Sequence, residues 1–179
     1  MSTETELYKA DKITVAGCQL DTSIELIFGL KDVISAAVLI HSAWSVIKDL
    51  LKHKGIESSR SWMTEFFPDT PEKDVWKTLD EVWNFCKHAQ KKDEVDKLIQ
   101  FPVGYIETVL FLALYDFSQI STIKSKTMDV YELWFISKHE ETFKDHDVFK
   151  YASELFPGLA NLSREQQARC GFEALSKII

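Results

Sequence analysis

Residues 33–53 read VISAAVLIHSAWSVIKDLLKH, and their spacing decides the fold class. Val33, Ala37, Ile40, Trp44, Ile47 and Leu51 recur every three or four residues, the interval at which side chains line up along one face of an α-helix. Ile34, Val38, Leu39 and Val46 extend the apolar surface nearly all the way round, which places this helix at the expected centre of the core. Asp32 stands where an N-cap belongs, and Gly55 where the chain should leave the helix. One polar ring, His41, interrupts the segment. It lies about 100° from the central stripe, and a buried imidazole without a partner costs about 1–3 kcal/mol.

Outward from this segment, one helical pattern follows another and no alternating strand pattern persists. A helix is expected over 13–30, with Leu20, Ile24, Ile27 and Phe28 on one face and Asp21 and Glu25 one turn apart beside them. Gly29 should end it. An irregular connection with a helical turn over 61–67 leads to Thr70-Pro71-Glu72, an N-cap, a proline at the first helical position and an acid in the first turn. The helix it starts, 71–90, carries Val75, Leu79, Val82, Cys86 and Ala89, widened by Trp76 and Trp83. Residues 102–119 are apolar on most sides, interrupted by Glu107 and Asp116. Shorter helices follow over 128–138, 148–156 and 164–177, the last opened by a capping-box spacing, Ser163 and Gln166.

Glycine (6) and proline (4) are scarce, and Pro68, Pro71, Pro102 and Pro157 all fall between helical patterns. The expected fold is therefore all-α, a single-domain bundle of about seven helices over 1–179. Its four-helix core spans about 13–121, helices over 128–177 complete it, and 1–11 are flexible.

The formal charge of −7 opposes attraction to phosphate backbones, and Arg60, Arg164 and Arg169 are the only arginines. Nucleic acid is thus a disfavoured partner. Cys18, Cys86 and Cys170 are single and widely spaced, which fits buried thiols in a reducing, cytoplasmic setting better than a disulfide framework. The polar stretch Met1 to Lys12 does not read as a signal peptide. The apolar runs near 33–40 and 109–115 are about half the ~20 residues of a membrane span, so buried helices and no membrane are expected.

Several residues carry candidate chemistry. Asn84 and His88 are four apart, so they project from one side of a helix and could orient one ligand, with Lys87 beside them for charge. The plainer reading is a helix end where His and Lys meet the negative dipole terminus. His41 is either a satisfied core histidine or a contact for a ligand or metal, and Asp21, Glu25, Glu107 and Asp116 are expected on helices packed around it. A two-metal helical site would need Glu three residues before its histidines. Val38, Leu50, Phe85, Ile136 and Phe143 stand there instead, so neither a metal nor another cofactor is expected. Cys86 and His88, two residues apart, point away from each other and cannot form an activated pair.

The ordered elements Gln19-Leu20-Asp21, Ile40-His41-Ser42-Ala43 with Asp49-Leu50, and Asn84-Phe85-Cys86-Lys87-His88-Ala89 resemble the signature of a mostly bacterial, all-helical family of uncharacterised activity. The likeness spans much of 19–116 and implies a fold more than an activity. In that pattern Thr stands at position 42 and Asp at position 90, where this chain has Ser42 and Gln90. Asn84-x-x-Lys87-His88 is also distantly similar to the Arg-x₄₋₆-His motif of HEPN domains, often dimeric helical bundles that include ribonucleases and RNA-binding modules. This likeness implies His88 as the catalytic histidine; no arginine stands at Val82, Trp83 or Asn84.

The leading expectation is a cytoplasmic helical bundle that works by association, with itself as a homodimer, with a partner protein or with a small ligand, and without catalysis. The ligand-binding candidates are Asp21, His41, Asn84, Lys87, His88 and Asp116. Twelve Phe, five Trp and five Tyr offer material for an association face. The alternatives are a HEPN-like ribonuclease or RNA binder using Asn84, Lys87 and His88, and an enzyme or metal site around His41 and the core carboxylates.

Overall fold

The computed structural model describes residues 7–87 and 98–177. Part of the segment expected to be flexible, and the end of the helix expected to reach position 90, lie outside the described residues. Within them the chain is all-α: α1 (Lys12–Phe28), α2 (Val33–His53), a 3₁₀ turn (Ser59–Trp62) running into α3 (Met63–Phe66), α4 (Glu72–Lys87), α5 (Val103–Ile120), α6 (Lys126–Lys138), α7 (Glu140–Phe143), α8 (Asp147–Leu155), a second 3₁₀ turn (Leu159–Asn161) and α9 (Arg164–Ser176).

Local chemistry accounts for the helix ends. Asp11 accepts from the Thr14 N–H at 2.7 Å, Asp32 from the Ser35 N–H at 3.0 Å, and Ser163 and Gln166 exchange both bonds of a capping box. After α2 the Ile56 N–H reaches Leu51 O at 3.0 Å and the Gly55 N–H reaches Lys52 O at 3.1 Å, with Gly55 at φ +70°. This is the Schellman ending that glycine permits. The end of α1 differs from expectation. Gly29 stays right-handed, and Leu30 takes the left-handed position at φ +50°, with Lys31 N–H bonded to Leu26 O at 3.2 Å. A Cβ at Gly29 would meet Glu25 O at 2.9 Å, so glycine is needed there for space.

One apolar cluster runs from Ala16 on α1 to Leu175 on α9. Its largest enclosed side chains are Trp44 on α2 and Tyr131, Trp134 and Phe135 on α6, so the core extends well past the 13–121 expected for it. The most enclosed helix is α5, with twelve of 18 residues buried against seven of 21 on α2. Expectation had put α2 at the centre. Its apolar residues wrap further round than its neighbours α1, α4 and α5 cover, which leaves Ile34 at 43% exposure. By length and composition α2 is long and apolar enough to cross a membrane, the one such helix among the described residues. In this fold it packs against α1, α5 and α4.

The C-terminal helices are fastened to this core by buried polar bonds. Trp134 Nε1 donates to Gln167 O at 2.7 Å, Gln167 Nε2 to Leu159 O at 3.0 Å, and Ser137 Oγ to Phe156 O at 2.7 Å. At the α1–α9 crossing Gly171 lies flat against the Phe28 ring, and a Cβ there would sit 2.4 Å from Phe28 Cε1. Phe28 is 2% exposed and cannot swing away. Gly171→Ala is therefore expected to lose about 1–3 kcal/mol in urea unfolding through overpacking. An unchanged midpoint would show that the two helices slide apart freely.

Candidate functional site

Among the described residues, the candidate carboxylates serve separate parts of the fold. Asp21 accepts from Ser125 Oγ, which in turn accepts from the Met128 N–H at 3.1 Å, so this carboxylate anchors the start of α6 on α1. Burial pushes the Asp21 carboxyl above its usual range, with the Ser125 bond acting in the opposite sense. Asp116 is fully buried, accepting from Trp44 Nε1 at 2.7 Å and from the Ser59 N–H at 2.8 Å. Glu107, also buried, receives Lys138 Nζ at Oε2 and lies 3.3 Å from Arg164 Nε through Oε1. Tyr131 donates to the Glu107 carbonyl at 2.9 Å, and burial holds its phenol well above the usual range. Each carboxylate thus has its own donors in a different part of the fold.

His41 is half-buried and stacks on Trp83 of α4, with ring centroids 5.1 Å apart and planes 27° from parallel. This contact joins the histidine singled out on α2 to the segment singled out on α4. The expected gathering of Asp21, Glu25, Glu107 and Asp116 around the imidazole is not what the contacts of the three bonded acids describe, since Ser125, Trp44 with Ser59, and Lys138 with Arg164 take those roles. Asn84 is exposed. The Lys87 side chain and His88 lie outside the described residues. Among the described residues no three metal-ligating side chains cluster.

Beside the His41–Trp83 stack the structure opens an apolar groove of about 630 Å³, lined by Ile34, Ser35, Val38 and Leu39 of α2 and Phe85 and Cys86 of α4. Phe85 is 41% exposed and Ile34 43%. Cys86 faces this groove, and its thiol is pushed up first by burial and then by the Asp32 carboxylate, so it is a packing surface and a poor nucleophile. Cys18 is exposed and Cys86 and Cys170 are half-buried, so none of the three thiols is enclosed as expected. Sequence reasoning did not single out Ile34, Val38, Leu39 and Phe85 as a site. Their signal was there: an apolar surface on α2 too wide for its neighbours to cover.

Two titratable groups against the core invite measurement. Lys138 supplies one of the two cations that neutralise Glu107, so Lys138→Met is expected to cost about 3 kcal/mol, and Glu107→Gln in the same chain should recover part of it. A urea-derived loss near zero for Lys138→Met would mean that Arg164 suffices alone. The second is His139, half-buried against Phe135 and Phe66, whose pKa is lowered from 6.5 to about 4, first by desolvation and then by Lys138. The native chain resists this proton while the unfolded chain accepts it. The contribution is therefore complete above about pH 6.5 and falls as pH drops towards about 4, by roughly 3 kcal/mol. Relative to His139→Phe, the wild type should lose stability over that window; parallel pH curves would refute the assignment.

Comparison of the chain with known protein families, with curated proteins and with solved structures found no match to any of them.

Proposed function

We propose that this protein is a binding module that takes an amphipathic helix of a partner protein into the groove between α2 and α4, with no reaction of its own. The observation that carries this reading is the groove itself. It is apolar, open, about 630 Å³, and flanked by Phe85 and Ile34, two large side chains left more than two-fifths exposed. Two neighbouring helices with an apolar furrow that no other described helix fills form the receptor half of a helix-in-groove contact, and the ligand half supplies anchors at i, i+3 or i+4 and i+7. Asp32 acts on Cys86 at one end of the furrow. With the chain at −7, a partner helix bearing basic residues is the complementary one.

The disposition of the acids supports binding over catalysis. A general acid or base must reach a substrate proton. Asp116 and Glu107 are instead enclosed at 0% and 1% exposure and engaged by protein donors.

The test uses a short Leu/Lys amphipathic helical peptide as probe, titrated into the full chain and followed by nuclear magnetic resonance. Shifts should concentrate at Ile34, Val38, Leu39 and Phe85. Leu39→Asp should weaken binding by about tenfold or more, while Val15→Asp, on the exposed side of α1, should leave it unchanged. Equal binding to both variants, or no binding by the wild type, would rule the groove out as the docking site.

A further inference from the structure

Of the three arginines, Arg60 lies over Trp76 and Arg164 meets Glu107. Arg169 is the one that no ion pair, hydrogen bond or ring among the described residues engages. It lines a cleft of about 240 Å³, shared with Leu30 and Lys31 from the turn after α1 and with Glu165 and Phe172 from α9. The apolar walls, Leu30 and Phe172, are 42% and 52% exposed. Leu30 is held in the left-handed region at φ +50°, a conformation that costs free energy for a residue with a Cβ and recurs where ligands are clamped. Lys31 is held as well. A Cβ at Gly29 would lie 3.2 and 3.3 Å from its Cγ and Cδ, so the lysine stem runs across that glycine. Its ammonium is not needed to close α1, because the N–H groups of Gly29, Leu30 and Lys31 already meet the carbonyls of Glu25, Ile27 and Leu26.

We propose that this cleft binds a small aromatic monocarboxylate, Arg169 and Lys31 taking the carboxylate and Leu30 and Phe172 the ring. Charge selects the sign of the ligand. Two cations and Glu165 leave the cleft positive by one on a chain of −7, so a single negative charge neutralises it. Glu165 itself stands in the first turn of α9, where the positive end of the helix dipole favours it. A guanidinium presents a fork that matches the two oxygens of a carboxylate, and such charge-assisted bonds are the strong ones. Size selects a single ring, because the cleft is smaller than the roughly 300–1,000 Å³ that drug-sized ligands fill. Phe172 stands three residues after Arg169 on the same side of α9 and offers its exposed ring for an aromatic pair. This cleft shares no lining residue with the α2–α4 groove, and the inference does not depend on the function proposed for that groove.

Phenylacetate titrated into the full chain and followed by nuclear magnetic resonance should give saturable shifts at Leu30, Lys31, Arg169 and Phe172. Phenylacetamide, of the same size and without the charge, should give none. Arg169→Gln and Lys31→Gln, each with an unchanged circular-dichroism spectrum, should weaken phenylacetate binding by about tenfold. Lys150→Gln, which removes an exposed cation on α8, should leave it unchanged. Leu30→Gly suits the left-handed turn and removes one wall, so affinity should fall while the urea midpoint holds or rises, which separates loss of the site from loss of the fold. A wild type without saturable shifts overturns the proposal, and so does equal binding of phenylacetamide. Shifts confined to Ile34, Val38 and Leu39 would overturn it by placing the ring in the α2–α4 groove. Attachment to phosphatidylglycerol vesicles without phenylacetate binding would overturn it in favour of a lipid surface.

Discussion

Two carboxylates on the most enclosed helix organise the molecule. Glu107 and Asp116 sit nine residues apart on α5, both at or near zero exposure, and a buried charge must be met by donors or it costs several kcal/mol. Asp116 is met from the N-terminal side, by the Trp44 indole of α2 and the Ser59 N–H of the connection. Glu107 is met from the C-terminal side, by Lys138 at the end of α6 and Arg164 at the start of α9. The demands of these two acids set where four other parts of the chain must lie.

Aromatic packing fills the space between those fixed points. Trp44 stands against Trp76 at 5.8 Å and carries Lys48 over its ring at 4.8 Å, while Arg60 lies 4.1 Å over Trp76. Burial, and then Arg60, lowers the Lys48 ammonium from its usual value. On the other side Phe111 and Phe135 stack at 4.4 Å, with Phe66 and Phe143 around them. Most of the aromatic content anticipated for an association face is therefore spent on the interior. What remains outside is confined to a few places, among them Phe85 on α4 and Tyr151 on α8.

Features governed by neighbouring residues were legible in the sequence. The all-α class, the bounds of α2, the capping box of α9 and the glycine after α2 all follow from contacts within one helical turn. Leu30 in the left-handed position was not legible, because the residue that suits that role, Gly29, is held one place earlier by lack of space. The partners of the buried acids were also hidden. Trp44 and Asp116 are 72 residues apart, and nothing local in either segment marks them as a pair. His41 was identified as a histidine in need of company, yet its stacking partner Trp83 read as a core residue of another helix. The groove escaped for a related reason. A continuous apolar surface on α2 resembles a fully enclosed helix until the number of covering helices is known.

The Arg164 contact has a consequence for how the fold comes apart. A terminal helix ordinarily frays and re-forms on its own, at little cost to the remainder. Here the first residue of α9 neutralises an acid buried on α5, and its next turn receives the Trp134 indole through Gln167. Releasing α9 would strip a cation from an enclosed carboxylate and a partner from a buried indole together. Amide protons in α9 should then exchange by the same global opening as those of α5, and α9 behaves as part of one cooperative unit.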